Sequence, residues 1–203
     1  MTQEGQTTLT PAQALQKLKD GNERFVRGEL SNRVHSAQVY ATAAGQFPYA
    51  IVLGCVDSRA PAELLFDTEL GDIFNARVAG NFVNDDILGS MEFATAAAGA
   101  KLIVVMGHTA CGAVKGSCDN VQLGNISSLV NNIRPSVEAL TPDGETCSSS
   151  DVERVDAIAA HNVARTLAQI RERSEIISEL EQKGTVKIVG AMYDLATGKV
   201  TFQ

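Results

Sequence analysis

The chain has 203 residues, 44% hydrophobic and 20% charged, which is the ordinary balance of a folded protein and fits a single domain over residues 1–203. The formal net charge of -7 offers no basic surface to nucleic acid or to an anionic membrane, and no apolar run is long enough to cross a bilayer. We therefore expect neither nucleic acid nor a membrane as a partner.

The N-terminal residues, MTQEGQTTLTPAQ, lack the basic and then apolar pattern of a secretory signal. We expect a cytoplasmic protein, or a periplasmic or organellar one if a targeting segment has been removed. Four cysteines are too few for a disulfide framework in a chain of this length. Cys118 and Cys147 are expected either as free thiols or, in an exported protein, as a disulfide.

The first predicted element is an N-terminal helix that ends at about Gly28. Thr10, Pro11 and Gln13 have the spacing of a capping box, and apolar residues recur at helical spacing after them. Short apolar runs at 49–54, 72–80 and 101–107 predict three buried strands. The stretch between the last two strands has acidic residues at its start and glycine at its end, which predicts a helix.

The second half of the chain continues the alternation. Residues 124–140 carry an apolar helical face, 141–150 have the composition of a loop, and 151–182 fit one or two amphipathic helices. The chain then ends with two strand-like runs joined by a turn at 196–198. Strands that alternate with helices predict an α/β fold with a central, mostly parallel β-sheet flanked by helices.

Residues that ligate metals follow two of the predicted strands. Cys55 ends the first strand, and GHTAC places His108 and Cys111 just after the third. Ligands of an open α/β sheet bind outside the carboxyl ends of its strands. Two cysteines and one histidine are a ligand set that Zn²⁺ accepts in catalytic sites, where the fourth position stays open to water.

Each of these signals is weak by itself. A cysteine at the end of a strand is often a small buried hydrophobe, and an isolated His-x-x-Cys is an uncertain zinc signal. The two clusters together are a stronger indication than either alone. A fourth ligand is not excluded, and the residues that offer one are Cys118, Cys147, His35 and His161.

Asp57 and Arg59 stand two and four residues beyond Cys55. Alternation along an extended segment predicts that all three face the same side, with Arg59 holding the carboxylate in a bidentate pair. The alternative is a plain structural ion pair.

These motifs resemble the β-class carbonic anhydrases. The matching stretches are CVDSRAPAELLFD, ARVAGN, GSMEF, KLIVVMGHTACGAVKG and VGAMYDLATGKV, in that family's order and spacing, from about Gln46 to Val200. The resemblance implies reversible hydration of carbon dioxide to bicarbonate and a proton by zinc-bound hydroxide. It further implies that Cys55, His108 and Cys111 hold Zn²⁺ and that Asp57 and Arg59 are the catalytic dyad.

The same resemblance implies a substrate site and an assembly. Gln46 would donate a hydrogen bond to bicarbonate, and Phe74 and Phe93 would line an apolar pocket, although ordinary core packing is the alternative for both aromatics. In the family these three groups reach the metal from a neighbouring subunit. A homodimer or homotetramer is therefore expected, with residues 1–28 as a helical arm lying on the partner.

Two other functions remain open at this point. A related zinc hydrolase would act on carbonyl sulfide or carbon disulfide. A non-catalytic, zinc-stabilised oligomerisation module is the other, and the presence of both Asp57 and Arg59 argues against it, because a structural zinc ion needs no such dyad.

Overall fold

The computed structural model describes all residues from Met1 to Gln203. It contains one sheet of five strands, which are β1 (Ala50–Gly54), β2 (Ile73–Arg77), β3 (Leu102–His108), β4 (Lys187–Tyr193) and β5 (Val200–Phe202). The strand order is β2-β1-β3-β4-β5, and only the last pair is antiparallel. The prediction of a mostly parallel sheet is confirmed.

Ten α-helices surround the sheet. They are α1 (Gln3–Thr8), α2 (Pro11–Arg27), α3 (His35–Thr42), α4 (Ala62–Leu65), α5 (Asp85–Glu92), α6 (Gly112–Cys118), α7 (Gly124–Asn131), α8 (Arg134–Ala139), α9 (Val152–Arg173) and α10 (Glu175–Gln182). A π-helical segment, Phe93–Ala97, continues α5. No helix is long and apolar enough to span a membrane.

The two faces of the sheet bury different sets of helices, because successive side chains of a strand point to opposite sides. Val52 and Val104 pack on the side of α2 and α4, whereas Ile51 and Ile103 pack on the side of α5, α9 and α10. The three central strands β1, β3 and β4 are thus covered on both faces. That explains their nearly continuous apolar sequences.

Helix α9 lies unusually close to β3 and β4. A Cβ atom on Gly107 of β3 or on Gly190 of β4 would come within 3.0 Å of side-chain atoms of Val163. The two glycines therefore allow the helix to approach the sheet closely. The polar side chains of α9 are thereby carried to the loops at the carboxyl ends of the strands.

The N-terminal helix forms as predicted. Thr10 and Gln13 make the capping box, and Gly28 ends α2 in a left-handed conformation. One face of α2 belongs to the core of its own protomer, where Leu15 and Leu18 pack against the sheet. The expected contact of residues 1–28 with a partner subunit stays a prediction.

Two predicted elements also have different bounds. The predicted helix over 124–140 is divided into α7 and α8, because Pro135 at the first turn of α8 has no N–H with which to continue α7. The predicted strand over 72–80 is shorter, and β2 ends at Arg77, after which the chain turns through Gly80.

Cys118 and Cys147 form a disulfide, with their Cα atoms 4.8 Å apart. The bond joins the end of α6 to the loop that precedes α9. The free-thiol alternative for this pair is therefore wrong. The two remaining cysteines, Cys55 and Cys111, are unpaired and buried.

Helix α2 packs closely at Gly21 against Phe66, the residue that ends α4. A methyl group at this position would meet the main-chain carbonyl of Phe66, so Gly21→Ala is expected to destabilise the fold by about 1–3 kcal/mol through overpacking. Gly89→Ala in α5 is the matched control, because nothing lies within 4 Å of the added atom. Urea unfolding should show a loss for the first variant only, and equal effects would contradict the packing described.

Candidate metal centre

Cys55 lies at the carboxyl end of β1, in the first position after the strand. Its side chain is buried, with 5% of the residue exposed. The backbone N–H of Gly80 donates a hydrogen bond to Cys55 Sγ at 3.4 Å. A cysteine sulfur in this setting is held in place and receives an N–H dipole, as an anionic sulfur requires.

His108 and Cys111 belong to the neighbouring strand and the helix that follows it. His108 is the last residue of β3, Cys111 is the N-cap of α6, and both residues are 1% exposed. Because β1 and β3 pair in parallel with Gly54 opposite Met106, their carboxyl ends lie side by side. The donor atoms of Cys55, His108 and Cys111 consequently lie within 4.8 Å of one another.

The histidine ring presents one free nitrogen to the two sulfurs. His108 Nδ1 is 2.9 Å from the carbonyl oxygen of Thr109, so the tautomer with the proton on Nδ1 satisfies both groups. The other nitrogen, Nε2, is buried without a hydrogen-bond partner. A buried lone pair without a donor is costly, and a bound cation would satisfy it.

The cysteine pair also favours negative charge at this point. The Cys111 thiol, the neighbouring His108 imidazole and the Gly80 N–H lower the pKa of Cys55 to about 4 despite burial. The neighbouring Cys55 sulfur and burial raise the pKa of the Cys111 thiol. The donor set, two sulfurs and one imidazole, therefore fits a divalent cation such as Zn²⁺.

The other candidate ligands lie outside this group. Cys118 and Cys147 are bonded to each other, and His35 begins the exposed helix α3. His161 lies within α9. The structure brings together three donor residues, which is the number found in open zinc sites.

Asp57 and Arg59 form the predicted bidentate pair, but the backbone conformation that brings them together differs from the prediction. Arg59 Nε and Nη2 donate to Asp57 Oδ1 and Oδ2 at 2.9 and 2.7 Å. The prediction that residues 55, 57 and 59 alternate along an extended segment is wrong, because β1 ends at Gly54 and residues 57–60 form a turn closed by the Ala60 N–H on the Asp57 carbonyl. Asp57 also accepts from the Arg59 backbone N–H, which only a turn allows.

The carboxylate of Asp57 faces the metal centre as an acceptor. Its Oδ2 atom lies 3.9 Å from His108 Nε2, and the side chain is 14% exposed. The hydrogen bonds from Arg59 hold the pKa of Asp57 far below its usual range. At neutral pH this side chain is therefore an oriented carboxylate.

Arg77 is a site residue to which sequence reasoning assigned no role. Its Nε and Nη2 atoms donate to the carbonyl oxygens of Cys55 and Asp57, at 2.8 and 2.5 Å. The feature that could have indicated a role is the position of Arg77 as the last residue of β2, directly opposite Gly54 in the sheet. Arg77 thus fixes the segment that carries both Cys55 and Asp57.

The three predicted substrate residues lie away from this cluster within one chain. Phe74 and Phe93 are in edge-to-face contact, with ring centroids 6.0 Å apart, and they line an open groove of about 750 Å³. None of the three donor residues lines that groove. Gln46 is exposed on the segment before β1. The alternative of ordinary core packing does not hold for Phe93, which is 57% exposed.

The chain is similar to proteins whose names state an activity. The family model described as "Carbonic anhydrase" matches residues 50–200. The carbonic anhydrase of Mycolicibacterium smegmatis is 41% identical over 191 residues, covering 94% of this chain and 92% of the relative. Carbonic anhydrase 2 of Mycobacterium tuberculosis is 38% identical over 194 residues, covering 95% and 93%.

Solved structures agree with the family match. The β-carbonic anhydrase CafA of Aspergillus fumigatus superposes with a TM-score of 0.72 at 25% identity, covering 95% of this chain and 89% of that one. Two tetrameric β-carbonic anhydrases of Sordaria macrospora are represented by a chain with a TM-score of 0.69 at 23% identity, covering 82% and 89%, which supports the fold alone. With the motif order, the fold and these relatives in agreement, the chain belongs to the carbonic anhydrases, enzymes whose general reaction is the hydration of carbon dioxide, and within them to the β class.

Proposed function

We propose that this chain hydrates carbon dioxide at a zinc ion held by Cys55, His108 and Cys111. The observation that carries the proposal is the convergence of these three buried donors at adjacent strand ends, with Asp57 beside them. Zn²⁺ prefers sulfur and imidazole nitrogen in a tetrahedral arrangement, and three protein ligands leave one position for water. Binding would displace the proton of the Cys111 thiol, whose pKa is raised.

Zinc bound at such a site makes hydroxide available from water near neutral pH, and carbonic anhydrase is the standard example of this effect. The protein's own part is orientation. Asp57 is too weak a base to remove a proton, because Arg59 holds its pKa so low. Its carboxylate would instead act as a hydrogen-bond acceptor that orients the nucleophile supplied at the metal toward the carbon of the substrate.

Two arginines keep this acceptor in position. Arg59 binds both carboxylate oxygens of Asp57, and Arg77 binds the main-chain carbonyl of the same residue. The side chain and the backbone of Asp57 are thus fixed independently. A structural zinc ion does not require a carboxylate fixed in this way. The arrangement therefore favours a catalytic site over a non-catalytic zinc module.

Replacing the carboxylate separates metal binding from catalysis. Asp57→Asn keeps the size of the side chain but turns one acceptor oxygen into a donor, and we expect carbon dioxide hydration to fall by roughly 100-fold as the attacking oxygen loses its orientation. Zinc content should remain one ion per chain. Asp20→Asn, on the exposed face of α2, is the charge-matched control. Wild-type rates in Asp57→Asn at neutral pH would show that the Asp57–Arg59 pair is structural only. Stopped-flow assays of the wild type with carbonyl sulfide test the alternative substrate.

The substrate side is proposed to lie between subunits. Gln46 and Phe93 are exposed and Phe74 is half-buried, and all three lie outside the donor cluster of their own chain. In a homodimer or homotetramer they would complete the site of a neighbour, with Gln46 donating to bicarbonate and the two aromatic rings forming an apolar wall for a neutral substrate. The Sordaria macrospora β-carbonic anhydrases that share this fold are tetramers.

Mixed subunits test this proposal directly. Gln46→Ala and Asp57→Asn are each expected to be poorly active alone, but a mixed dimer has one site with both native residues. Refolding an equal mixture should restore about a quarter of wild-type activity, because half of the dimers are mixed and each has one intact site. No recovery beyond the average of the two separate variants would show that Gln46 acts within its own chain or not at all.

A further inference from the structure

Helix α9 carries a polar residue on its buried face. Asn162 is 1% exposed and stands next to Val163 and one turn beyond Ile158 and Ala159, which are all buried apolar residues. A buried amide is costly unless it has a hydrogen-bond partner, so its partner indicates what the residue does. Nδ2 of Asn162 donates to the carbonyl oxygen of Gly80 at 2.8 Å.

Gly80 connects Asn162 to the metal centre. The N–H of Gly80 donates to Cys55 Sγ, while its carbonyl accepts from Asn162. Gly80 has a φ of 81° and Asn81 one of 41°, and a Cβ at Gly80 would also run into the side chain of Ile133. The loop is thus held in a left-handed conformation that glycine tolerates best, and the amide of Asn162 fixes it on the side opposite the sulfur.

A second polar residue of α9 holds the other half of the centre. The N–H of Ala110 donates to Asp156 Oδ1 at 2.6 Å. Ala110 lies between His108 and Cys111 and has a φ of 54°, a conformation that side chains with a Cβ rarely adopt. The adjacent Thr109 is bound separately, through its N–H to the Tyr193 carbonyl.

The two contacts reach loops that are distant in sequence. One loop follows β2 and touches Cys55, whereas the other connects β3 with α6 and includes His108 and Cys111 at its ends. Asp156 and Asn162 are six residues apart on one continuous helix, so about 9 Å separates them along the helix axis. Because one rigid helix binds both loops, it fixes the distance between Cys55 and the His108–Cys111 pair.

We propose that Asp156 and Asn162 are positioning residues that set the spacing between Cys55 and the His108–Cys111 pair. Neither side chain is a ligand, and each acts through a backbone group next to one. The inference deepens the proposed function and rests on it, since it requires that the three residues bind Zn²⁺. Partners one layer outside a metal centre typically contribute 10- to 100-fold to metal affinity.

The test measures Zn²⁺ affinity by competition with a chromophoric chelator, using the full chain in its assembled state. Asn162→Leu removes the donor at similar volume, and Asp156→Ala removes the acceptor from a side chain that is only partly buried. Each should weaken Zn²⁺ binding roughly 10- to 100-fold. Asp156→Asn retains an acceptor oxygen for the Ala110 N–H and should restore the affinity to within a few-fold of wild type.

Asn22→Ala is the control for a general loss of stability. Asn22 is equally buried and binds main-chain groups of Leu65, Gly198 and Val200, none of which lies in either loop. It should unfold more easily and yet bind Zn²⁺ as tightly as wild type. Substituted Co²⁺ gives a second measure, because its thiolate absorption bands should shift in the α9 variants and stay unchanged in Asn22→Ala.

The possible results are distinguishable. If the wild type binds Zn²⁺ and the α9 variants bind it equally well, the positioning role is wrong and the proposed function stands. If the wild type itself fails to bind Zn²⁺ at one ion per chain, the proposed function fails first. If Asn162→Leu does not fold, Asp156→Ala and its Asn counterpart decide the matter, because their side chain lies at the edge of the core.

Discussion

The parallel pairing of β1 with β3 is the constraint on which the rest of the site depends. Its register places Gly54 opposite Met106, so Cys55 and His108 leave the same edge of the sheet from neighbouring strands. Hydrophobic burial on both faces fixes that register, because Ile51 and Ile103 point to one side and Val52 and Val104 to the other. A shift by one residue would exchange the two faces and separate the donors.

Polar interactions then refine what the sheet positions only approximately. Arg77 holds the carbonyls of Cys55 and Asp57, Arg59 holds the carboxylate, and Gly80 donates to the Cys55 sulfur. Each bond fixes a different atom of the segment from Cys55 to Asp57. The result is a centre in which the sulfur, the imidazole nitrogen and the carboxylate each have a defined direction, which is the form of preorganisation that catalysis requires.

Much of this arrangement was predictable from the sequence, for identifiable reasons. Buried strands such as β1 and β3 are continuous apolar runs, and the donors follow them directly, so both the sheet and the donor set could be inferred from pattern and spacing. The turn at residues 57–60 could not, because an extended segment and a turn both bring Asp57 and Arg59 to one side. Helix α3 buries none of its residues and so leaves no periodic apolar signal.

Other features depend on contacts that no local pattern records. The packing of α2 against the end of α4 depends on the fit of Gly21 against the Phe66 backbone. Cys147 lies 29 residues beyond Cys118, in a loop that returns to the end of α6, and this return brings the two cysteines together. Gln46 and the two aromatic residues are a third case, since within a single chain they lie outside the donor cluster. Resemblance to a family suggested their role, and only an assembly can test it.

The account's central claim is that the Cys55–His108–Cys111 cluster binds the zinc ion that enables hydration. Its most direct test is stopped-flow hydration of carbon dioxide by the wild type after removal of metal and during stepwise return of Zn²⁺, with Cys55→Ser treated in parallel. We expect activity to rise in proportion to bound zinc, to level off at one ion per chain, and to be absent from Cys55→Ser. Full activity in the metal-free protein, or in Cys55→Ser, would contradict the account.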